Sequence, residues 1–134
     1  MNTGSLILIV TFAVCSLRAG TVDFELAKLE AALQAANTQM DMNIRSGEIG
    51  VYLDRKLTRL EDRIRKDLDT EGLKLFEKAA AAWREYRQAQ ALFEGDTYRG
   101  GSMRPLVHNS VFARITQERI SALESVDPEG RYRE

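Results

Sequence analysis

The sequence predicts an all-α fold, a small bundle of three to four helices, and two observations support this prediction. The chain of 134 residues contains only two prolines and nine glycines, and long stretches contain neither. Such stretches favour helices over the regularly spaced turns of a β-sandwich or barrel. Apolar residues also recur at intervals of three and four, which is the period of an amphipathic helix.

Residues 1–19 are predicted to form a signal peptide. Leu6 to Leu17 is a run of twelve mostly apolar residues, shorter than the roughly 18 that span a bilayer. Leu17 and Ala19 suit the −3 and −1 positions of a cleavage site after Ala19. The prediction places the mature protein in the periplasm or outside the cell. Because no Lys or Arg precedes the run, a buried or membrane-attached N-terminal helix is the alternative.

The predicted helical domain covers residues 20–126, and its first helix runs from Asp23 to Ala36. Asn37-Thr38 supply capping residues for a second helix from Gln39 to Leu68. One face of the second helix is apolar over seven turns. Its members are Met42, Ile49, Leu53, Leu57, Leu60, Ile64 and Leu68.

The third helix is predicted to follow the cap Asp69-Thr70 and to end near Gly95. Its predicted apolar face consists of Leu73, Phe76, Ala79, Ala80, Trp83 and Tyr86, with Trp83 and Tyr86 as the core anchors.

A glycine-rich loop leads from Gly95 to Gly101, and Ser102 is predicted to cap a fourth helix that has Pro105 in its first turn. The apolar residues of this helix are Val107, Val111, Phe112, Ile115, Ala122 and Leu123. Residues 127–134 form a charged tail that is expected to fray.

Composition disfavours several classes of function. The chain has 19 basic and 20 acidic residues, a net charge of −1, which provides no basic field for nucleic acid. Removal of residues 1–19 deletes one base, Arg18, so 18 bases against 20 acids leave −2. It also deletes Cys15, the only cysteine. No cofactor or metal site is therefore predicted.

The residue types also give little support for catalysis. The only histidine is His108, which is interpreted as a core or boundary residue and not as a general base. Carboxylate pairs such as Glu61-Asp62 are followed by Arg or Lys, which indicates a solvated, salt-bridged helix face. The sequence therefore predicts no catalytic residues.

Two arginines fall within predicted apolar faces, Arg87 beside Trp83 and Arg119 between Ile115 and Leu123. Charges in such positions need partners. We expect both guanidinium groups to reach acids or carbonyls near Gly100-Gly101-Ser102 and to hold that corner together.

The alternative is that the two arginines bind a partner directly. Partner binding or corner clamping would then involve Tyr98, Gly100, Gly101, Ser102, Arg87 and Arg119. The glycine turn itself is interpreted as a structural bend, although a Gly-rich turn before a helix also suits anions.

Four short motifs bring a known family into view: Thr38-Gln39-Met40-Asp41-Met42-Asn43, Trp83-Arg84-Glu85-Tyr86-Arg87, Gly100-Gly101-Ser102-Met103-Arg104-Pro105, and Thr116-Gln117-Glu118-Arg119 with Leu123. In their order and spacing they resemble the LprI-like N-terminal domain family. These are small exported bacterial helical proteins whose name comes from a lysozyme inhibitor. The resemblance is strongest over residues 38–123.

The chain departs from this family at four positions. Family members typically carry cysteines at the places that align with Leu33, Arg45, Ala91 and Val111, and none is a cysteine here. Each native disulfide in a small secreted domain contributes typically about 2–5 kcal/mol. The chain must therefore depend on helical packing for its stability, or act where disulfides do not form.

The resemblance implies a non-catalytic, exported binding protein similar to the LprI-type lysozyme inhibitors. Its partner would be a protein, a lysozyme or another cell-wall hydrolase, blocked by occlusion of its cleft. The alternative is a structural or assembly module of the bacterial envelope that docks on an unknown protein. An enzyme is the least supported hypothesis, because acid–base chemistry would depend on unpaired carboxylates or the single histidine.

Overall fold

A computed structural model describes residues 23–126, which form four α-helices and one turn of 3-10 helix but no strand. The all-α bundle predicted from the sequence is confirmed. The predicted signal peptide and charged tail lie outside the described residues. None of the described helices is long and apolar enough to cross a membrane. The helices are α1 (Phe24–Gln34), α2 (Gln39–Asp67), α3 (Thr70–Gly95) and α4 (Arg104–Ser125), with the 3-10 turn at Asp96–Tyr98.

Side-chain caps determine where the first three helices begin. An oxygen of Asp23 accepts a hydrogen bond from the Leu26 amide at 3.1 Å, so Asp23 caps α1. Thr38 caps α2 and Asp69 caps α3 in the same way. These are the residue types that N-cap positions prefer, which is why the sequence located these starts closely.

The fourth helix begins differently, and the predicted Ser102 cap is wrong. The N-cap residue is Met103, which makes no side-chain capping hydrogen bond. Pro105 lies in the first turn as expected, where its fixed φ and missing N–H suit a helix start. The carbonyl of Ser102 instead accepts a hydrogen bond from Asn43 Nδ2 at 3.0 Å, which ties the loop to α2.

Helices α2 and α4 form the middle of the arrangement, because α2 packs against α1 and α4, and α4 packs against α2 and α3. Asn109 of α4 donates from Nδ2 to the Asn43 carbonyl of α2 at 3.2 Å. Gly50 of α2 lies close to Phe112 of α4, about two turns later on α2 and one turn later on α4. Helices α2 and α4 therefore run in the same direction.

Two apolar clusters form the core. The larger one joins α1, α2 and α4 through Leu26, Ile49, Leu53, Leu57, Leu60, Ile64, Ile120 and Leu123. The smaller one joins α3 and α4 through Ala91, Val111 and Ile115. Trp83 is partly buried and packs against both clusters. Ala91 and Val111, two of the positions where the resemblance implies cysteines, thus belong to one buried apolar contact.

Three members of the predicted apolar face of α3 are exposed: Leu73, Ala79 and Tyr86. Tyr86 is 54% exposed, so its assignment as a core anchor is wrong. The buried residues of α3 are Ala80, Arg87, Ala91 and Gly95. Consecutive residues on a helix lie about 100° apart, and the inward position belongs to Arg87 because it finds polar partners inside the bundle. On α4, likewise, Ala122 is exposed and Ile120 is buried.

Asp23 also fastens α1 to α2. Its carboxylate accepts hydrogen bonds from the Tyr52 hydroxyl and from Lys56 Nζ, both at 2.7 Å. Burial raises the pKa of Asp23, but these hydrogen bonds outweigh that effect and lower the pKa from 3.8 to about 2. The hydrogen bond to Asp23 in turn raises the pKa of Tyr52 to about 12.

Trp83→Ala is expected to destabilise the protein by about 3 kcal/mol, the lower end of the range for a large core aromatic, because Trp83 is only partly buried. Tyr86→Ala, three residues away on the same helix, is expected to cost less than about 1 kcal/mol because its side chain is largely solvated. Urea denaturation of both variants measures the difference. Equal losses would mean that Trp83 does not hold the two clusters together.

Asp23→Asn is expected to lower the free energy of unfolding by about 1–2 kcal/mol at pH 7, a figure that allows for partial solvent screening. The folded pKa of Asp23 is depressed, so its contribution is present above pH 4 and disappears as the pH falls from about 4 to about 2. Denaturation at several pH values should therefore show the two proteins converging at low pH. Glu30→Gln, an exposed change on the same helix, is the control. A difference that persists at pH 2 would contradict the assignment.

Candidate functional site

The corner between α3 and α4 presents the loop residues that the sequence singled out. Gly100 has a φ of +76°, a backbone conformation that favours glycine. The Gly101 amide donates to the Tyr98 carbonyl at 2.9 Å, which closes the turn. Tyr98 is 41% exposed, and the three residues from Gly100 to Ser102 are exposed as well. The corner is thus an accessible, hydrogen-bonded surface.

Arg87 lies inside the bundle and not at this corner. Its Nη1 donates to Asp54 Oδ1 at 2.7 Å and to Thr116 Oγ1 at 3.0 Å. Its Cζ lies 4.6 Å from the centroid of the Trp83 ring and 3.8 Å from that of Phe112. These distances allow cation–π attraction with both rings. Arg87 therefore joins α2, α3 and α4, and the expectation that it clamps the corner is wrong.

Arg119 is also far from the corner, because it lies fifteen residues into α4, about 22 Å from the start of that helix. Its Cζ stands 5.6 Å from the Trp83 centroid. Its Nε is buried and has no hydrogen-bond partner among the described residues. Burial lowers the pKa of Arg119, and the nearby Glu61 charge opposes this only in part. Arg119 remains charged at neutral pH.

The interpretation of Glu61 as a solvated residue is wrong, because its side chain is 0% exposed. Arg84 Nη2 donates to Glu61 Oε2 at 2.5 Å, and Arg65 Nη2 lies 3.7 Å from the same oxygen. A buried carboxylate needs such cations to offset its lost hydration. The sequence signal that could have shown this is the position of Glu61 directly after Leu60, at the edge of the apolar face.

His108 lies at the boundary of the bundle, partly buried, with its ring stacked on Phe112 at a centroid distance of 6.3 Å. Its Nδ1 is 3.4 Å from Asn109 Oδ1, a long contact. Within residues 23–126 no three His, Cys, Asp or Glu side chains are placed to hold a metal ion.

Three surface clefts border α2, and sequence reasoning missed them. The first, about 440 Å³ in volume, lies between α2 and α4 and is lined in part by Gly47, Gly50 and Phe112. The second, about 470 Å³, lies between α1 and α2 and reaches from Leu29 to Val51. The third, about 320 Å³, is bordered by cationic residues of α2. Arg55 lines all three clefts.

The family model for the lysozyme inhibitor LprI matches residues 30–123. The chain belongs to the LprI family. The match covers α2 and α3 completely and α4 as far as Leu123. It therefore includes the Arg87 contacts, the corner and the α2 residues that line the clefts. The resemblance found in the four motifs is thereby confirmed. No curated protein and no solved structure matches the chain.

Substitution by Met should change the stability of this LprI family member differently at its two inward arginines. Met keeps most of the packing stem of an arginine but removes the charge. Arg87→Met is expected to cost about 2–3 kcal/mol, below the value for a fully buried pair, because Asp54 stays 46% exposed and can be rehydrated. Arg119→Met is expected to change stability by less than about 1 kcal/mol, because it removes a desolvated group that lacks a hydrogen bond.

Thermal or urea denaturation of both variants tests this contrast. Arg114→Met, which removes an exposed ion pair with Glu94 and Glu118, controls for the loss of a surface arginine. Equal destabilisation by Arg87→Met and Arg119→Met would show that the hydrogen bonds of Arg87 contribute nothing specific.

Proposed function

We propose that this protein is an exported, non-catalytic inhibitor that binds a lysozyme or a related cell-wall hydrolase. Membership of the LprI family carries the proposal, because the matched segment contains nearly the whole bundle. The signal-like run from Leu6 to Leu17 supports export. Inhibition would follow from binding alone, with the bundle covering the cleft through which the enzyme reaches its polysaccharide.

The bundle suits this role because its helices are fixed by their inner faces. The two core clusters and the Arg87 contacts hold α2, α3 and α4 in one arrangement. A preformed surface loses little conformational entropy when it binds. Inhibition by such a rigid surface should be reversible and competitive with the cell-wall substrate.

The corner of the bundle remains a proposed part of the contact surface. Tyr98, Gly100, Gly101 and Ser102 are exposed there, and tyrosine often contributes strongly to protein interfaces. Phe93 and Tyr98 line a groove beside the corner. Phe93 is 74% exposed. Exposed aromatic side chains close to one another are typical of protein-binding surfaces.

Purified residues 20–134 are expected to protect bacterial cell walls from lysis by at least one class of lysozyme. The assay would use chicken-type, goose-type and invertebrate-type enzymes with the protein at micromolar excess. The apparent KM should rise while kcat stays constant, because inhibitor and substrate would compete for the cleft. The mature charge of −2 provides only modest electrostatic steering, so the effect should survive 0.15 M salt.

Bovine albumin at equal mass is the negative control and accounts for crowding. If circular dichroism shows that Trp83→Ala does not fold, its unfolded chain serves as a second negative control. Absence of protection against all three classes would contradict lysozyme inhibition. Recovery of one reproducible envelope protein by crosslinking, with no effect on lysis, would instead favour the assembly-module alternative.

A further inference from the structure

The outer face of α2 carries an apolar stripe that nothing in the described chain covers. Met40, Ile44 and Val51 are 73%, 50% and 53% exposed. With Gly47 and Arg55 they follow one another at intervals of four, three, four and four, which places all five on one side of the helix. The stripe is about 22 Å long. An exposed apolar helix face of this kind is typical of a helix that docks into a groove.

Gly47 interrupts this stripe without any packing need for a glycine. A Cβ atom at Gly47 would meet only Asn109 Nδ2 at 3.5 Å, an ordinary van der Waals distance. Glycine is nonetheless an unfavourable residue inside a helix. Its effect is to leave a notch between Ile44 and Val51, and two of the α2 clefts reach into that notch.

Arg55 ends the stripe as a cation that has no partner among the described residues. Most arginines of the described chain contact an acid, but Arg55 and the neighbouring Arg59 make no ion pair or hydrogen bond within residues 23–126. The nearest acid on either side of Arg55 along the helix is already engaged, Asp54 with Arg87 and Glu61 with Arg84. Like charges four residues apart disfavour the helix slightly. Four cations, Arg55, Lys56, Arg59 and Arg63, line the third cleft together with one acid, Glu124. This end of the stripe therefore carries net positive charge.

We propose that this face of α2, from Met40 to Arg55, enters the substrate cleft of the hydrolase and that Arg55 pairs with a carboxylate there. This inference rests on the proposed function, because its occupant is the cleft of a glycosidase. Glycosidases cleave with two carboxyl groups that flank the scissile bond, and one of them is ionised in the resting enzyme. A guanidinium group is the side chain that best matches a carboxylate, and the convex apolar stripe complements a concave cleft.

Charge reversal at Arg55 tests the proposal directly. Arg55→Glu is expected to weaken inhibition of a lysozyme at least tenfold without lowering the denaturation midpoint, because Arg55 is exposed and the new Glu lies four residues before Arg59. Lys74→Glu is the matched control, since Lys74 is exposed on α3 and the change in net charge is the same. It should alter inhibition less than twofold. Equal effects of the two reversals would overturn the proposal and leave only long-range electrostatics.

A second pair of variants tests the apolar stripe. Ile44→Ser on α2 is expected to weaken inhibition at least fivefold, whereas Leu75→Ser, at a similarly exposed position on the outer face of α3, should not. Gly47→Gln, which fills the notch, should raise the denaturation midpoint and weaken inhibition. Loss of inhibition in Leu75→Ser or in Tyr98→Ala, with Ile44→Ser unaffected, would place the interface on α3 or at the corner and overturn the proposal.

A double-mutant cycle identifies the carboxylate. Binding of wild-type and Arg55→Gln protein is measured by calorimetry against the lysozyme and against its variant with the ionised catalytic carboxylate changed to the amide. The two changes should be non-additive by about tenfold in Kd. Additive effects would overturn the pairing. If the wild-type protein neither inhibits nor binds a lysozyme, the proposed function is refuted. If it inhibits and the Arg55 variants inhibit equally well, the proposed function stands and only the role of Arg55 is refuted.

Discussion

The arrangement of the three long helices depends on how Arg87 is accommodated inside the bundle. A guanidinium group in that position must keep its charge, so it needs acceptors and rings at fixed distances. Asp54 supplies an oxygen from α2, Thr116 a hydroxyl from α4, and Trp83 and Phe112 supply the rings. A shift of α2 by one turn would take Asp54 away from this cation, and a shift of α4 would take away Thr116 and Phe112. The apolar clusters provide most of the driving force for folding, while Arg87 selects the register in which they pack.

This internal order leaves α2 with a dual character. Its inner face holds Leu53, Leu57 and Leu60 against the core, and its outer face exposes apolar residues that belong to neither core cluster. The smaller cluster shows how the bundle is stabilised at two of the positions where the family resemblance implies cysteines, because Ala91 and Val111 pack there with Ile115. Stability from packing does not require the outer face of α2, which is therefore available to a partner.

The sequence was sufficient for the features that depend on local chemistry. The caps Thr38 and Asp69 and the period of the apolar residues located α2 and α3 to within a residue. It was insufficient where a contact distant in the chain decides the outcome. Tyr86 and Arg87 are adjacent, and hydrophobicity favours Tyr86 for the core; only the position of Asp54 and Thr116 makes Arg87 the inward residue. The burial of Glu61 likewise depends on Arg84. The corner residues could not be assigned a role, because the residues next to them in the sequence do not indicate whether a loop is exposed.

The combination of exposed apolar side chains with a cation that has no partner in the described chain limits what could occupy that face of α2. An apolar stripe alone would suit a second helix of any origin, and a cation alone would be ordinary surface. Together they favour a site that is concave and carries a carboxylate next to apolar surface, and a glycosidase cleft offers carboxylates on either side of the scissile bond. Because α2 is held by its inner face, the backbone that carries Met40, Ile44 and Val51 is fixed before binding, so less backbone entropy opposes association. A partner whose surface is polar and basic would gain from neither feature.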